Sequence, residues 1–152
     1  MNTWLLTWNP KRWAWDDSIN GYNELIEDVG QIGYAYLKWT CGKNKSIREG
    51  DRIFLIRLGK EPRGIIASGY AASDVFEGTH WDVERRTIGR KARRIYVKFD
   101  TIKDFSSDDI LAYEMLKEID QNFNWSSQAS GINIPNEIAQ KIENVWGALS
   151  LK

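Results

Sequence analysis

One cysteine, one histidine and three prolines stand in 152 residues, and each scarcity removes a class of protein. A lone Cys41 cannot form an internal disulfide and fits a reducing compartment, so an intracellular, cytoplasmic location is expected. Cys41 and the single His80 cannot build a closed zinc site, a zinc deaminase or a His-Asn-His nuclease centre. Long apolar runs are missing too: none approaches the roughly 18 residues of a membrane span. The apolar part of Met1–Leu6 is short and lacks the basic leader of a signal peptide. Gly42-Lys43 has Leu37 where a phosphate-binding loop needs glycine, and Gly59, Gly64 and Gly69 do not make a dinucleotide fingerprint. Asp16-Asp17 and Asp108-Asp109 read as helix starts and solvated faces. A Cys41–His80 nucleophile pair is conceivable, but a buried or loop cysteine is more often inert. Enzyme is therefore the weaker class, and no cofactor or metal is expected.

Net charge is absent as well, with 21 basic against 21 acidic residues. The balance hides a dipole. Lys38, Lys43, Lys45, Arg48, Arg52, Arg57, Lys60 and Arg63 face only Glu49, Asp51 and Glu61 in their stretch. Arg85, Arg86, Arg90, Lys91, Arg93 and Arg94 follow with no acid among them, while acids gather at 16–28 and 104–120. A neutral chain with one basic face still binds phosphate; a solvated loop beside a strand is the equal alternative for 85–94. What is present in excess is tryptophan, eight in all. Indoles fill cores, but each has an N–H that needs a partner when buried, and the same faces stack on nucleobases.

The length suits a single domain over 1–152. Thr3–Trp8 reads as a strand buried on both faces, ended by Asn9-Pro10. Asp16-Asp17-Ser18 predicts a helix to about Val29, broken at Gly30 and Gly33. Strands are predicted over Tyr34–Trp39, Asp51–Leu58, Ile65–Val75 and Arg94–Phe99, the third and fourth of the five joined by a turn over 59–64. Gly69 signals a bulge or a close backbone approach. Ser107–Ile119 is helical in character and Asn124–Ile134 irregular. Pro135 opens a final helix with a stripe of Ile138, Ile142, Val145, Trp146 and Leu149. The class is α+β: five strands in a mostly antiparallel sheet curling toward a barrel, flanked by helices.

Three segments carry aromatic and polar residues that a core does not explain: Trp39–Lys45, Ser73–Asp82 and Trp125–Gly131. A core tryptophan at a strand end and a helix-capping loop are the plain alternatives for the first and third. Trp81, in a polar loop, is harder to assign to a core. Six pieces occur in one order: Thr7–Trp13, Trp39–Lys43, Gly50–Gly59, Glu61–Ile65, His80–Asp82 and Ser127–Ile132. Together they resemble the EVE domain of the PUA-like superfamily, related to YTH and ASCH domains. The closer likeness is to the modified-base readers that precede HNH nucleases in modification-dependent restriction enzymes.

The resemblance implies a PUA-like sheet of five to six strands whose open side cages one extruded base, without catalysis. By motif position Trp39 and Trp81 are the walls, with Trp8, Asn9, Thr40, Cys41, Asp82, Ser127, Gln128 and Ser130 around them. Trp13 and Trp15 fit packing or rim positions. Lys43, Lys45, Arg85, Arg86, Arg90, Lys91 and Arg93 would hold phosphates. The implied partner is DNA carrying 5-methylcytosine or a related modified cytosine. The HNH nuclease that such readers precede is missing from this sequence, which is expected to be either an excised N-terminal domain, with the nuclease domain or subunit outside it, or a stand-alone reader. RNA binding in the manner of YTH and PUA relatives is the first alternative. An ASCH-like small-molecule or hydrolytic enzyme, depending on Lys43 or Asp82, is the second.

Overall fold

The computed structural model describes residues 1–12, 15, 21–79, 91–106, 108–127 and 129–150. In chain order these form β1 (Thr3–Trp8), α1 (Tyr22–Ile32), β2 (Ala35–Thr40), β3 (Arg52–Arg57), β4 (Gly64–Ala71), β5 (Phe76–Thr79), β6 (Lys91–Ile102), β7 (Leu111–Ala112), α2 (Tyr113–Ile119), β8 (Ile132–Ile134) and α3 (Asn136–Ser150). The sheet runs β2-β6-β4-β3-β1-β8, with β5 added to β6 and β7 to β4. Among the described residues only β1 and β3 pair in parallel; the other pairings are antiparallel. The α+β class and its mostly antiparallel sheet are as expected.

Each strand's alternation assigns its residues to two cores. Trp4, Leu6 and Trp8 of β1, Ile53 and Leu55 of β3 and Ile95, Val97 and Phe99 of β6 face inward with Trp15, Trp39 and α1. Leu5, Phe54 and Ile56 face the opposite side, under Leu116 of α2 and Ile142 and Trp146 of α3. This explains why β1 and β3 carry near-continuous apolar runs: both of their faces are covered. On β6, Ile95, Val97 and Phe99 are buried while Tyr96 and Lys98 are exposed, the half-buried alternation the sequence predicts. Gly69 shows both predicted features. The β4–β6 register shifts beside it, and a Cβ there would lie 2.2 Å from the Lys98 carbonyl oxygen.

Several expectations change: among the described residues the sheet has eight strands rather than five or six, and Phe76–Thr79, within the stretch read as a polar loop, is a strand beside β6. The first helix opens at Tyr22, with an extended Gly21 at its N-cap, rather than at 16–18; it continues through Gly30 and stops only at Gly33, whose φ of 93° suits the left-handed cap. Only Tyr113–Ile119 of the stretch 107–119 is helical, because Leu111-Ala112 pairs with β4. The irregular 124–134 stretch ends in β8, three residues beside β1.

Buried polar side chains pin these layers. Arg52 reaches from β3 to Glu143 of α3 (Nε to Oε2, 3.0 Å), to Asp100 of β6 (3.1 Å) and to the Gly69 carbonyl (3.2 Å). Ser68 donates to Asp100 at 2.8 Å and accepts the Trp146 indole N–H at 2.8 Å. Asp51 accepts from the Trp4 indole (2.8 Å) and from the backbone N–H groups of Arg48 (3.0 Å) and Asn2 (3.2 Å). Burial alone would raise the Asp51 carboxyl, but these donors together outweigh it and hold the pKa below the usual range.

Asp51→Asn should therefore destabilise the fold by about 1–3 kcal/mol at neutral pH, read from urea unfolding. A depressed folded pKa stabilises above the unfolded value of 3.8 and ceases to do so as pH falls through the folded value. The gap between wild type and variant should accordingly narrow as the pH falls below 3.8. An unchanged gap would remove Asp51 as an anchor.

A candidate base-binding site at the closing seam of the sheet

β8 stops pairing with β1 at Leu5 opposite Ile132, leaving the outer edge of β1 at Thr7 without a strand. Buried backbone groups require partners, and here side chains supply them. Ser130 Oγ accepts from the Thr7 N–H at 3.1 Å and donates to the Thr40 carbonyl at 2.8 Å. The Trp39 indole N–H donates to the Thr7 carbonyl at 3.2 Å. The end of β2 is thus tied to the end of β1, although the two strands lie far apart in the sheet order.

The neighbouring loops interlock at the same place. Asn44 Nδ2 donates to the Gly131 carbonyl at 2.6 Å, and its Oδ1 accepts from the backbone of Ser46 and Ile47. Gly131 has φ +84°, and a Cβ on it would lie 2.7 Å from the Cys41 carbonyl oxygen; one on Gly42 would lie 2.9 Å from the Ser130 carbonyl. Only glycine lets these two backbones approach so closely. Cys41 is fully buried, extends the β2–β6 ladder through its N–H to the Arg93 carbonyl (3.0 Å), and has its thiol pushed up to about 11, chiefly by burial.

Behind the seam stands an aromatic cluster. Trp15 meets Trp39 edge-on at 4.9 Å, Trp8 at 5.4 Å and Tyr22 at 5.0 Å. Tyr22 stacks on Trp8 at 5.8 Å, donates its hydroxyl to the Lys103 carbonyl, and has its phenol pushed up mainly by burial. The Arg57 guanidinium lies 4.1 Å from the Phe105 ring and 5.4 Å from Trp8. Its Nη1 donates to the carbonyls of Lys60 (2.9 Å) and Pro62 (2.8 Å), while its buried Nε has no acceptor among the described residues. Burial lowers its pKa from the usual guanidinium value.

The structure therefore brings Trp39, Thr40, Cys41 and Ser130 together, with Trp8 one ring away through Trp15. Asn9 sits at the same strand end and spends Oδ1 on the Lys11 N–H at 3.0 Å. Ser127 is half-buried and accepts from the Ala129 N–H at 3.2 Å. Lys43 and Lys45 are exposed on the loop after β2, and Arg93 is half-buried next to it. Trp13, His80, Trp81, Asp82, Arg85, Arg86, Arg90 and Gln128 lie outside the described residues, as does the side chain of Lys91. Trp125 belongs to the core after all: it is 1% exposed and its indole donates to the Asp120 carbonyl at 2.9 Å. Arg57, Tyr22 and Phe105 are the residues that sequence reasoning missed. The one signal was an arginine at the end of an otherwise apolar strand.

The chain matches no protein-family model and no curated protein. Solved structures do resemble it. A hypothetical protein from Leishmania major is 14% identical, with a TM-score of 0.67 covering 99% of this chain and 97% of that one. Human THYN1, solved in complex with 5-methylcytosine containing DNA, is 12% identical with a TM-score of 0.66 over 95% and 97%. A mutant ASCH protein from Zymomonas mobilis is 13% identical with a TM-score of 0.54 over 95% and 96%. The fold is PUA-like. Among the described residues no helix is long and apolar enough to cross a membrane.

A thiol this buried should react slowly with a disulfide reagent in the folded protein and release one equivalent only on unfolding. Its raised pKa also favours the folded state while the thiol stays protonated. That contribution should be lost as pH climbs from the reference 9.0 through about 11, visible as a falling unfolding midpoint that Cys41→Ala does not show. Rapid labelling of the native protein would place the thiol on the surface instead.

Proposed function

We propose that the chain is a non-catalytic reader of a modified base in DNA, 5-methylcytosine or a related modified cytosine. The base is turned out of the duplex and stacked on Trp39, with Trp81 as the opposite wall from its place in the motif order. The observation that carries this reading is the position of Trp39: an indole fixed by its N–H at the seam between β1 and β2, with the Trp15 ring standing against it. A fold shared with a protein solved on 5-methylcytosine DNA supports it. In a restriction setting such a reader would supply specificity and a separate nuclease the cut.

Extruding a base costs a few kcal/mol, and stacking it on an aromatic ring returns about 1–3 kcal/mol. A methyl group in an apolar niche adds only about 0.8 kcal/mol, so discrimination needs shape as well. At 3% exposure Trp39 is covered by Trp15, and a base reaches its face only when Trp15 swings aside. Edge recognition falls to groups at the same end. Ser130 has its proton committed to Thr40, which leaves it an acceptor, whereas Arg57 Nε is a donor with no acceptor among the described residues. Lys43, Lys45 and Arg93 surround this end as phosphate contacts. The buried, weakly acidic Cys41 thiol is a poor nucleophile, which supports binding over catalysis.

The test is fluorescence anisotropy on duplexes identical except for one plain or modified cytosine, with a matched RNA competitor and intrinsic tryptophan emission in parallel. The wild type should prefer one modified duplex and show quenching. Trp39→Ala would cost the core about 3–5 kcal/mol, so Trp39→Phe is the variant used at this position. That variant, and Trp81→Ala, should reduce the preference about fivefold or more while overall affinity stays salt-dependent. Equal binding to all duplexes, preference surviving both changes, or displacement by the RNA would sink the reading.

A further inference from the structure

On the side of the sheet opposite Trp39, α3 covers β4 at Ser68 through Trp146, while the described helices leave the outward residues Tyr36, Tyr70 and Tyr96 exposed. Where α3 ends its coverage, Arg52 holds Glu143 and Asp100 and lies 4.7 Å over the Tyr70 ring. Beyond that point the face carries Tyr36, Tyr70 and Tyr96, at 55%, 41% and 44% exposure. Their strand partners are basic. Tyr36 and Tyr70 flank Lys98 in register, Tyr96 pairs with Lys38, and Arg94 lies between Thr40 and Phe76. Lys98 Nζ stands 4.7 Å over Tyr34 and 6.0 Å from Tyr36, and Phe76 stacks on Tyr96 at 5.3 Å. These registered rows contain no carboxylate, and Asp100, two positions along β6 from Lys98, is held by Arg52 and Ser68.

Exposed aromatics on strands need no function when they stand alone. Here rings and cations alternate both along and across the strands. That pattern suits a polymer with a π-face and a negative charge in every repeat. Lysine is depleted in protein interfaces, which argues against a second protein copy, and a duplex keeps its base faces stacked on one another. We propose that this face is a stacking platform for an unpaired strand of DNA, its bases on Tyr36, Tyr70 and Tyr96 and its phosphates on Lys38 and Lys98. The choice of DNA over RNA rests on the reading of the seam site above; the platform itself does not.

The probe is a fluorescent oligothymidylate of roughly 12 nucleotides, within the site sizes of single-strand binders. Two double variants, Tyr36→Ala with Tyr96→Ala and Lys38→Glu with Lys98→Glu, should each weaken its binding about tenfold or more. In the lysine pair the slope of log K against log salt should be shallower by about 1.4. Trp39→Phe should leave this binding within about twofold, being on the opposite face. Circular dichroism melts check that both variants fold. Undiminished binding in the lysine pair overturns the proposal, as does preferential displacement by oligouridylate. So does a dimer in sedimentation that the tyrosine pair dissolves. Because modified-base preference is read on duplexes and sensed at Trp39, the two readings fail separately.

Discussion

The unpaired edge of β1 at Thr7 is the constraint on which the rest of the seam depends. A curled sheet must either close, expose its backbone or cap it, and β8 is too short to cover β1 beyond Leu5. Ser130 and Trp39 finish the task from two other parts of the chain. Once they do, the Trp39 ring has a fixed height and orientation, the loop after β2 must lie against the loop before β8, and glycines are required where those backbones meet.

β3 shows how one strand serves both faces of such a sheet. Arg52 and Arg57 are both buried, at its two ends and on opposite sides. A buried cation needs compensation, and the two receive it differently. Arg52 has two carboxylates, which join sheet to helix, and keeps a raised pKa. Arg57 has backbone carbonyls and aromatic faces instead, with no carboxylate bonded to it among the described residues. The first arrangement is a rivet. The second leaves a charge with spare hydrogen-bonding capacity close to the aromatic cluster.

Much of this was legible in the sequence where one element decides its own state. The alternation of β6, the apolar run of β3, the stripe of α3 and the bulge at Gly69 each follow from a local pattern. So does the grouping of Trp39, Thr40, Cys41 and Ser130, though that came through the order of short motifs rather than any single one. What was not legible depends on partners distant in sequence. Leu111-Ala112 becomes strand because β4 offers an edge, and Ile132–Ile134 because β1 does. Trp125 looked like a loop residue until α2 and α3 closed over it. Tyr22, Arg57 and Phe105 carry no motif and meet only when β1, β3 and the segment after β6 converge.

The span of the seam contacts bears on how the protein is made. Ser130 joins residues 123 and 90 positions earlier in the chain. Contacts of such separation incur the largest loop-closure cost and form late. On a ribosome the Trp39 site stays open until the segment around residue 130 has emerged. Until then the nascent chain displays a tryptophan-rich interior at an unclosed edge, the kind of surface that chaperones hold.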